Sequence, residues 1–255
     1  MIIDTPAIVL KTIEFSESSL IVSLLSEKHG KIPVMARGAR RNKNKYGGLL
    51  QPGTILDVTY YYKSTREVQN LSDATQKKPT WRIHRQMEKM AIALATLEMC
   101  EQLCHEYEPM PEISVFLTEL LYWLHETKSN PVHLFPYIQF RLAQLTGIGI
   151  TWQPDDPEMG SVVRENEQDP QYVCYLNVEN GCIAGSADNG LSLGLTKSQG
   201  DYLRYIAEGK KNRLLAVHFP TPEIRNLIHH LDTYFQFHLE GIKGRRSDAI
   251  FEQIL

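Results

Sequence analysis

Lys31-Ile32-Pro33-Val34-Met35-Ala36-Arg37, running into Gly38-Ala39-Arg40-Arg41-Asn42-Lys43-Asn44-Lys45-Tyr46-Gly47-Gly48, is the stretch that decides the reading of this chain. Its first half alternates with the period of two that a strand requires: Ile32, Val34 and Ala36 fall on one face, Lys31, Met35 and Arg37 on the other. Arg37 therefore leaves the strand on the solvent side. The second half joins cations and glycines in a loop whose backbone can lie close to a polyanion. The same alternation recurs around it. Ile8–Ile13, Leu20–Leu25, Thr54–Tyr62 and Glu67–Leu71 read as further strands, bounded by turn residues such as Ser16-Glu17-Ser18-Ser19 and His29-Gly30. In the fourth, Leu56, Val58, Tyr60 and Tyr62 point inward and Tyr61 outward. Five short strands in about 79 residues predict a small barrel of the OB type.

Charge is distributed unevenly. The chain as a whole carries −3, yet Lys28 to Leu56 holds seven cations and no carboxylate. From Gly149 to Leu195 the balance reverses, with eight acids (Asp155, Asp156, Glu158, Glu165, Glu167, Asp169, Glu179 and Asp188) against Arg164 alone. A charge run by itself reads equally as a solvated face. Combined with an OB-type barrel it points to nucleic acid, with Lys31, Arg37, Arg40, Arg41, Lys43 and Lys45 neutralising phosphates and Tyr46 and Tyr61 offering rings for bases.

Past Pro79 the period changes to that of helices. Thr80–Glu108 is predicted as one long helix with Ile83, Met87, Met90, Leu94, Leu97 and Cys104 along its buried stripe. Glu112–Glu126 follows, with a stripe of Val115, Phe116, Leu120, Trp123 and Leu124. Val132–Thr146 is introduced by Asn130-Pro131. An acidic insert at about 149–195 contains a short hairpin around Tyr172–Ala184. Thr196-Lys-Ser-Gln199 is a capping box for a helix to Glu208, and Thr221-Pro222-Glu223 opens another that runs to Glu240 and stops at Gly241. The expectation is an α+β chain of two domains: a five-stranded OB barrel over 1–79 and a helical domain over 80–255 that carries the hairpin insert.

With 42% hydrophobic and 22% charged residues the chain is globular, not disordered. Apolar runs fall short of the ~20 residues that span a bilayer, and Met1-Ile2-Ile3-Asp4 has no basic lead into an apolar stretch, so a cytoplasmic protein without a membrane partner is expected. Cys100, Cys104, Cys174 and Cys182 read as reduced thiols. They lack the close pairs of a structural zinc site, and neither metal nor cofactor is expected. Gly190-Leu-Ser192-Leu-Gly194 matches a nucleophile elbow, with Asp201 or Asp232 and His218, His229 or His238 available as partners in the right order. That elbow needs a large parallel sheet, however, and here an acidic loop precedes it and helices follow, so coincidence is the better account and no enzyme is expected.

Several elements resemble the RecO family of recombination mediators. In the barrel these are Val9-Leu10-Lys11, Glu17-x-Ser19, Gly30-Lys31, Arg37-Gly-Ala-Arg40 and Leu50-Gln51-Pro52. In the helices they are Glu106-x-Glu108-Pro109 and Phe140-Arg-Leu-Ala-x-Leu145-x-Gly147, and near the end Gly241-x-Lys243 leads to Arg246-Ser247. The resemblance implies binding of single- and double-stranded DNA, strand annealing, capture of the acidic, apolar tail of single-stranded DNA-binding protein (SSB), and, with RecR, loading of RecA onto SSB-coated DNA at the nucleoid. A helical groove that captures such a tail would use apolar contacts plus cations for its acidic residues, and the candidates on the third helix are Phe140, Arg141 and Leu145. Many relatives carry a zinc ribbon built on two C-x2-C pairs after the third helix. Here Trp152-Gln-Pro154 and Gly181-Cys182 occupy that neighbourhood, and the hairpin is expected to persist as a degenerate ribbon. A general OB-fold binder of RNA or single-stranded DNA, and an adaptor whose basic patch docks an acidic protein, are the competing readings.

Overall fold

A computed structural model describes residues 1–152, 172–187, 190–209, 214 and 220–248. The acidic cluster Asp155–Asp169, together with Arg164, Asp188 and His218, lies outside the described residues. Contacts divide the chain into two compact units, one of residues 1–128 joined by 244–248 and one of Ser129–Lys243.

The first unit opens with strands β1 (Ile2–Glu14), β2 (Leu20–Ser26), β3 (Gly30–Ala36), β4 (Ile55–Tyr61) and β5 (Gln69–Lys78). They close into a barrel in the order β1-β2-β3-β5-β4, with β3 and β5 parallel and the other pairs antiparallel. This is the expected OB architecture. β1 and β5 are longer than the alternation suggested, because Ile3, Thr5, Ala7 and Ala74 are also buried beyond the predicted ends. Val9, Leu24, Ile32, Val34, Leu56 and Tyr60 fill the interior, each aliphatic side chain contributing about 1.5–3 kcal/mol on burial.

The predicted helix over Thr80–Glu108 resolves into a 3-10 turn (Ile83–Arg85) and α1 (Met87–Leu103). Its expected stripe is wrong in part. Met87 is exposed and Met90 and Leu94 are only half-buried, while Ala91, Ile92, Ala93, Ala95 and Met99 are buried on other sides. A helix covered around much of its circumference has no single apolar stripe to find. It ends five residues early because the chain turns back to the barrel: Tyr107 takes φ 61°, its N–H donates to Lys31 O at 2.9 Å, and its hydroxyl donates to Glu67 O at 2.5 Å. In α2 (Pro111–Glu126) the buried face includes Ile113, Leu117, Leu120, Leu121 and Leu124; Val115 is exposed and Phe116 and Trp123 half-buried, which corrects three of the five residues of that stripe as well. The amide and hydroxyl of Ser247 both donate to the Glu98 carboxylate on α1, at 3.1 and 3.0 Å, and fasten the described end of the chain to this unit.

In the second unit a 3-10 turn (Val132–Leu134) leads into α3 (Phe135–Leu145), with the Asn130 side chain accepting from Val132 N–H at 3.0 Å. A four-stranded sheet, in the order β6-β8-β7-β9, is built from β6 (Thr151–Trp152), β7 (Cys174–Asn177), β8 (Cys182–Ala184) and β9 (Ser192–Leu195). The hairpin was legible in the sequence; its two flanking strands were not. Helices α4 (Lys197–Ala207) and α5 (Thr221–His238) follow. Thr196 and Gln199 form the expected capping box, and the Gln199 carboxamide donates to Glu223 O at 2.7 Å, joining the two helix starts. Buried Gln139 ties α3 to α5 by donating to Asp232 Oδ1 at 2.7 Å and Ile228 O at 3.2 Å.

Candidate nucleic-acid interface

The basic loop after β3 is folded against the barrel by its own side chains. Asn44 Oδ1 accepts from the amides of Tyr46 and Gly47, both at 2.9 Å, and its amide group donates to Arg41 O at 3.0 Å. Tyr46 is 2% exposed, and its hydroxyl donates to Leu71 O at 3.3 Å; burial holds its pKa above the usual phenol range. This departs from the sequence expectation. The ring anchors the loop in the core and has no face left for a base.

The cations separate into two groups. Arg40 is held at the β1–β2 turn: its guanidinium donates to Ser16 O at 2.6 Å and pairs with Glu14 at 2.8 Å, and its amide donates to Ser18 O at 3.1 Å. Lys31 donates its ammonium to Glu101 O at 2.6 Å in the last turn of α1, where the helix dipole favours a cation. Lys45 donates to Ser72 O and lies 5.1 Å from the Tyr46 ring centroid. These three therefore serve to place the loop and the barrel. Arg37, Arg41 and Lys43 are exposed and make no ion pair with a described residue, so their charges are available to phosphates.

Tyr61 is 47% exposed and outward, as its parity required. The register gives it a context that parity alone did not: Met35 pairs with Asn70, and Asn70 with Tyr61, so the three form one row across β3, β5 and β4. At the usual strand spacing Tyr61 stands about 10 Å from Met35, and Arg37 continues β3 two residues beyond. A cation loop and an exposed ring thus share one barrel face. That pairing fits a strand whose phosphates meet the loop and whose bases stack on the ring.

On α3, Phe140 is 1% exposed and belongs to the core, which removes it as a contact for an incoming peptide. Arg141 and Leu145 are half-buried and four residues apart, hence on one helix face, and Arg141 donates to Gln144 Oε1 at 2.6 Å.

The thiols of the hairpin do not fit a shared zinc ion. Leu176 pairs with Ile183, which puts Cys174 on the same sheet face as these two and Cys182 on the other. Cys174 is buried against Gly200 of α4, its thiol pushed up to about 12 by burial, while Cys182 Sγ lies 3.7 Å from the Thr151 hydroxyl. Cys100 on α1 and Cys104 just past its end are buried, and burial raises both, Cys104 to about 11, which keeps them as inert thiols. Ser192 of the elbow-like sequence sits inside β9 opposite Asn177 and not on a strand-to-helix turn, so the geometry of a nucleophile elbow is not present.

A closed five-stranded OB barrel with a basic loop, followed by helices, defines the class of this protein as an OB-fold protein with a helical C-terminal region. Two family models match it: recombination protein O, N terminal, over residues 1–79, and recombination protein O, C terminal, over residues 84–247. The chain belongs to the RecO family. Among curated relatives it is 27% identical over 263 residues to the DNA repair protein RecO of Chloroherpeton thalassium, covering the whole of both chains. It is 33% identical over 147 residues to that of Salinibacter ruber, a stretch covering 58% of this chain and 56% of the relative. With the DNA repair protein RecO of Pelodictyon phaeoclathratiforme the identity is 25% over all of this chain and 99% of the other. No helix among the described residues is long and apolar enough to cross a membrane.

Proposed function

We propose that this protein is a cytoplasmic, nucleoid-associated mediator of DNA repair and homologous recombination that binds single- and double-stranded DNA, anneals complementary strands and, with RecR, helps to load RecA onto SSB-coated DNA. The observation that carries this reading is the set of exposed cations Arg37, Arg41 and Lys43, without an ion-pair partner among the described residues, on the outside of an OB barrel in a RecO-family chain. Annealing requires two strands with their charge repulsion reduced and their base edges free. Cations on a loop supply the first condition, and contacts confined to phosphates and ring faces leave the second intact. No covalent step is needed. The SSB tail, acidic and apolar, is assigned to the Arg141–Leu145 face of α3, where a cation and an aliphatic side chain stand one turn apart.

The test is annealing of complementary strands precoated with SSB. The reading requires acceleration by the protein, lost in Arg37→Ala/Arg41→Ala/Lys43→Ala. A protein that bound RNA or bare single strands equally well yet failed to anneal coated ones would be a general OB-fold binder. One that bound only acidic proteins would be an adaptor.

A further inference from the structure

A second basic segment lies where β5 gives way to the helices. From Ala74 to Met87 there are four cations, Lys77, Lys78, Arg82 and Arg85, and no carboxylate. Two large rings are exposed beside them, Trp81 at 46% and Tyr122 at 40%. They are not scattered. Lys78 Nζ lies 5.2 Å from the Tyr122 ring centroid, and the guanidinium carbons of Arg85 and Arg82 lie 4.3 and 5.2 Å from that of Trp81. Buried His125 packs edge-on against Trp81 at 5.4 Å and stands one turn after Tyr122 on α2, so Trp81 with its two guanidinium groups and Tyr122 with Lys78 border the same stretch of α2 as a row of exposed rings and cations.

Two of the cations are partly neutralised, Arg82 by Glu126 at 3.9 Å and Lys77 by Asp57 at 3.3 Å. Lys78 and Arg85 have no carboxylate partner among the described residues. Ile83, the aliphatic residue of the segment, is buried, so what faces solvent is ring and guanidinium surface and not an aliphatic groove. Such surfaces suit bases, which stack on aromatic rings and guanidinium planes alike.

We infer that this row is a second contact for single-stranded DNA, in which a base extends the Trp81–Arg85 stack and Lys78 and Arg85 neutralise the adjoining phosphates. The inference rests on the DNA-binding reading above and deepens it. A barrel whose loop and Tyr61 engage one strand, and whose Trp81 row engages another length of the same or a second strand, supplies the two-strand hold that annealing requires.

The chain has three tryptophans, at 81, 123 and 152, so Trp123→Phe/Trp152→Phe leaves Trp81 as the reporter. Oligo(dT) is titrated while Trp81 emission and the anisotropy of a labelled oligo(dT) are both followed. Emission should be quenched in step with the anisotropy rise. In the otherwise native chain, Trp81→Ala/Arg85→Ala should weaken oligo(dT) binding about tenfold, the effect of losing one stacked base. The quench should persist in Arg37→Ala/Arg41→Ala/Lys43→Ala at raised DNA concentration. Anisotropy that rises with Trp81 emission unchanged, and with wild-type affinity in Trp81→Ala/Arg85→Ala, overturns the second contact and leaves the first. No anisotropy change at all overturns both. Quenching by an acidic peptide but not by oligo(dT) would make the row a protein-docking site and overturn the inference likewise.

Discussion

A Cβ placed on Gly30 would stand 1.8 Å from the carbonyl oxygen of Glu108, and Gly30 holds φ +64°. The first residue of β3 is thus fitted directly against the backbone that leaves α1, and the Lys31–Glu106 bridge and the Tyr107–Lys31 hydrogen bond continue the contact. Gly30→Ala meets both a backbone clash and a left-handed conformation, and should cost about 3 kcal/mol of stability. Urea unfolding of the variant checks this; a loss under about 1 kcal/mol would mean that the contact yields easily.

Phe140 packs in the core, so Phe140→Ala should cost ~3 to 5 kcal/mol. Phe140→Leu, which keeps most of the volume, should fold and bind a labelled SSB-tail peptide as the native chain does. Arg141→Glu should weaken that peptide instead. Anisotropy with the two variants separates packing from contact, and a tail affinity sensitive to Phe140→Leu but not to Arg141→Glu would move the site.

His230 is buried, and its Nδ1 has no hydrogen-bond partner among the described residues. Burial first, and then neighbouring His229, push its pKa down to about 4 from the 6.5 of an exposed imidazole. The folded state therefore disfavours protonation more than the unfolded chain does. Its contribution is complete above about pH 6.5 and is lost as pH falls toward 4, amounting to roughly 2 to 3 kcal/mol. Denaturant unfolding at pH 7 and 4.5 should show that loss, and His230→Asn should flatten it. An equal pH slope in the variant would assign the effect elsewhere.

With Cys174 and Cys182 on opposite sheet faces, purified protein should carry less than stoichiometric zinc, and chelator should leave its thermal midpoint unchanged. One equivalent of zinc by elemental analysis, lost in Cys174→Ser, would contradict the geometry.

The barrel was legible because each strand buries one face, so that parity alone fixed Ile32, Val34, Ala36, Tyr60 and the outward turn of Arg37 and Tyr61. Tyr46 escaped the same logic, since a loop has no period; only the fold shows its ring driven into the core under Leu71 O. The stripes of α1 and α2 misled where Met87 and Val115 are apolar yet exposed, while Ala91 and Ala93 are small and buried. β6 and β9, at two and four residues, are too short for a pattern and exist because β7 and β8 offer edges to pair with. Which cations have an ion-pair partner was not readable at all: Arg40 and Arg41 are neighbours of one type, and among the described residues Glu14, distant in sequence, neutralises only the first.

The central claim is that Arg37, Arg41 and Lys43 carry the electrostatic part of DNA binding, and the salt dependence of single-strand affinity tests it most directly. Each phosphate neutralised contributes about −0.7 to the slope of log K against log salt. Arg37→Ala/Arg41→Ala/Lys43→Ala, shown folded by circular dichroism, should therefore reduce the steepness by about 2, whereas Arg40→Ala, whose charge Glu14 already offsets, should change it by less than about 0.7. A triple variant with the native slope and the native affinity would contradict the account.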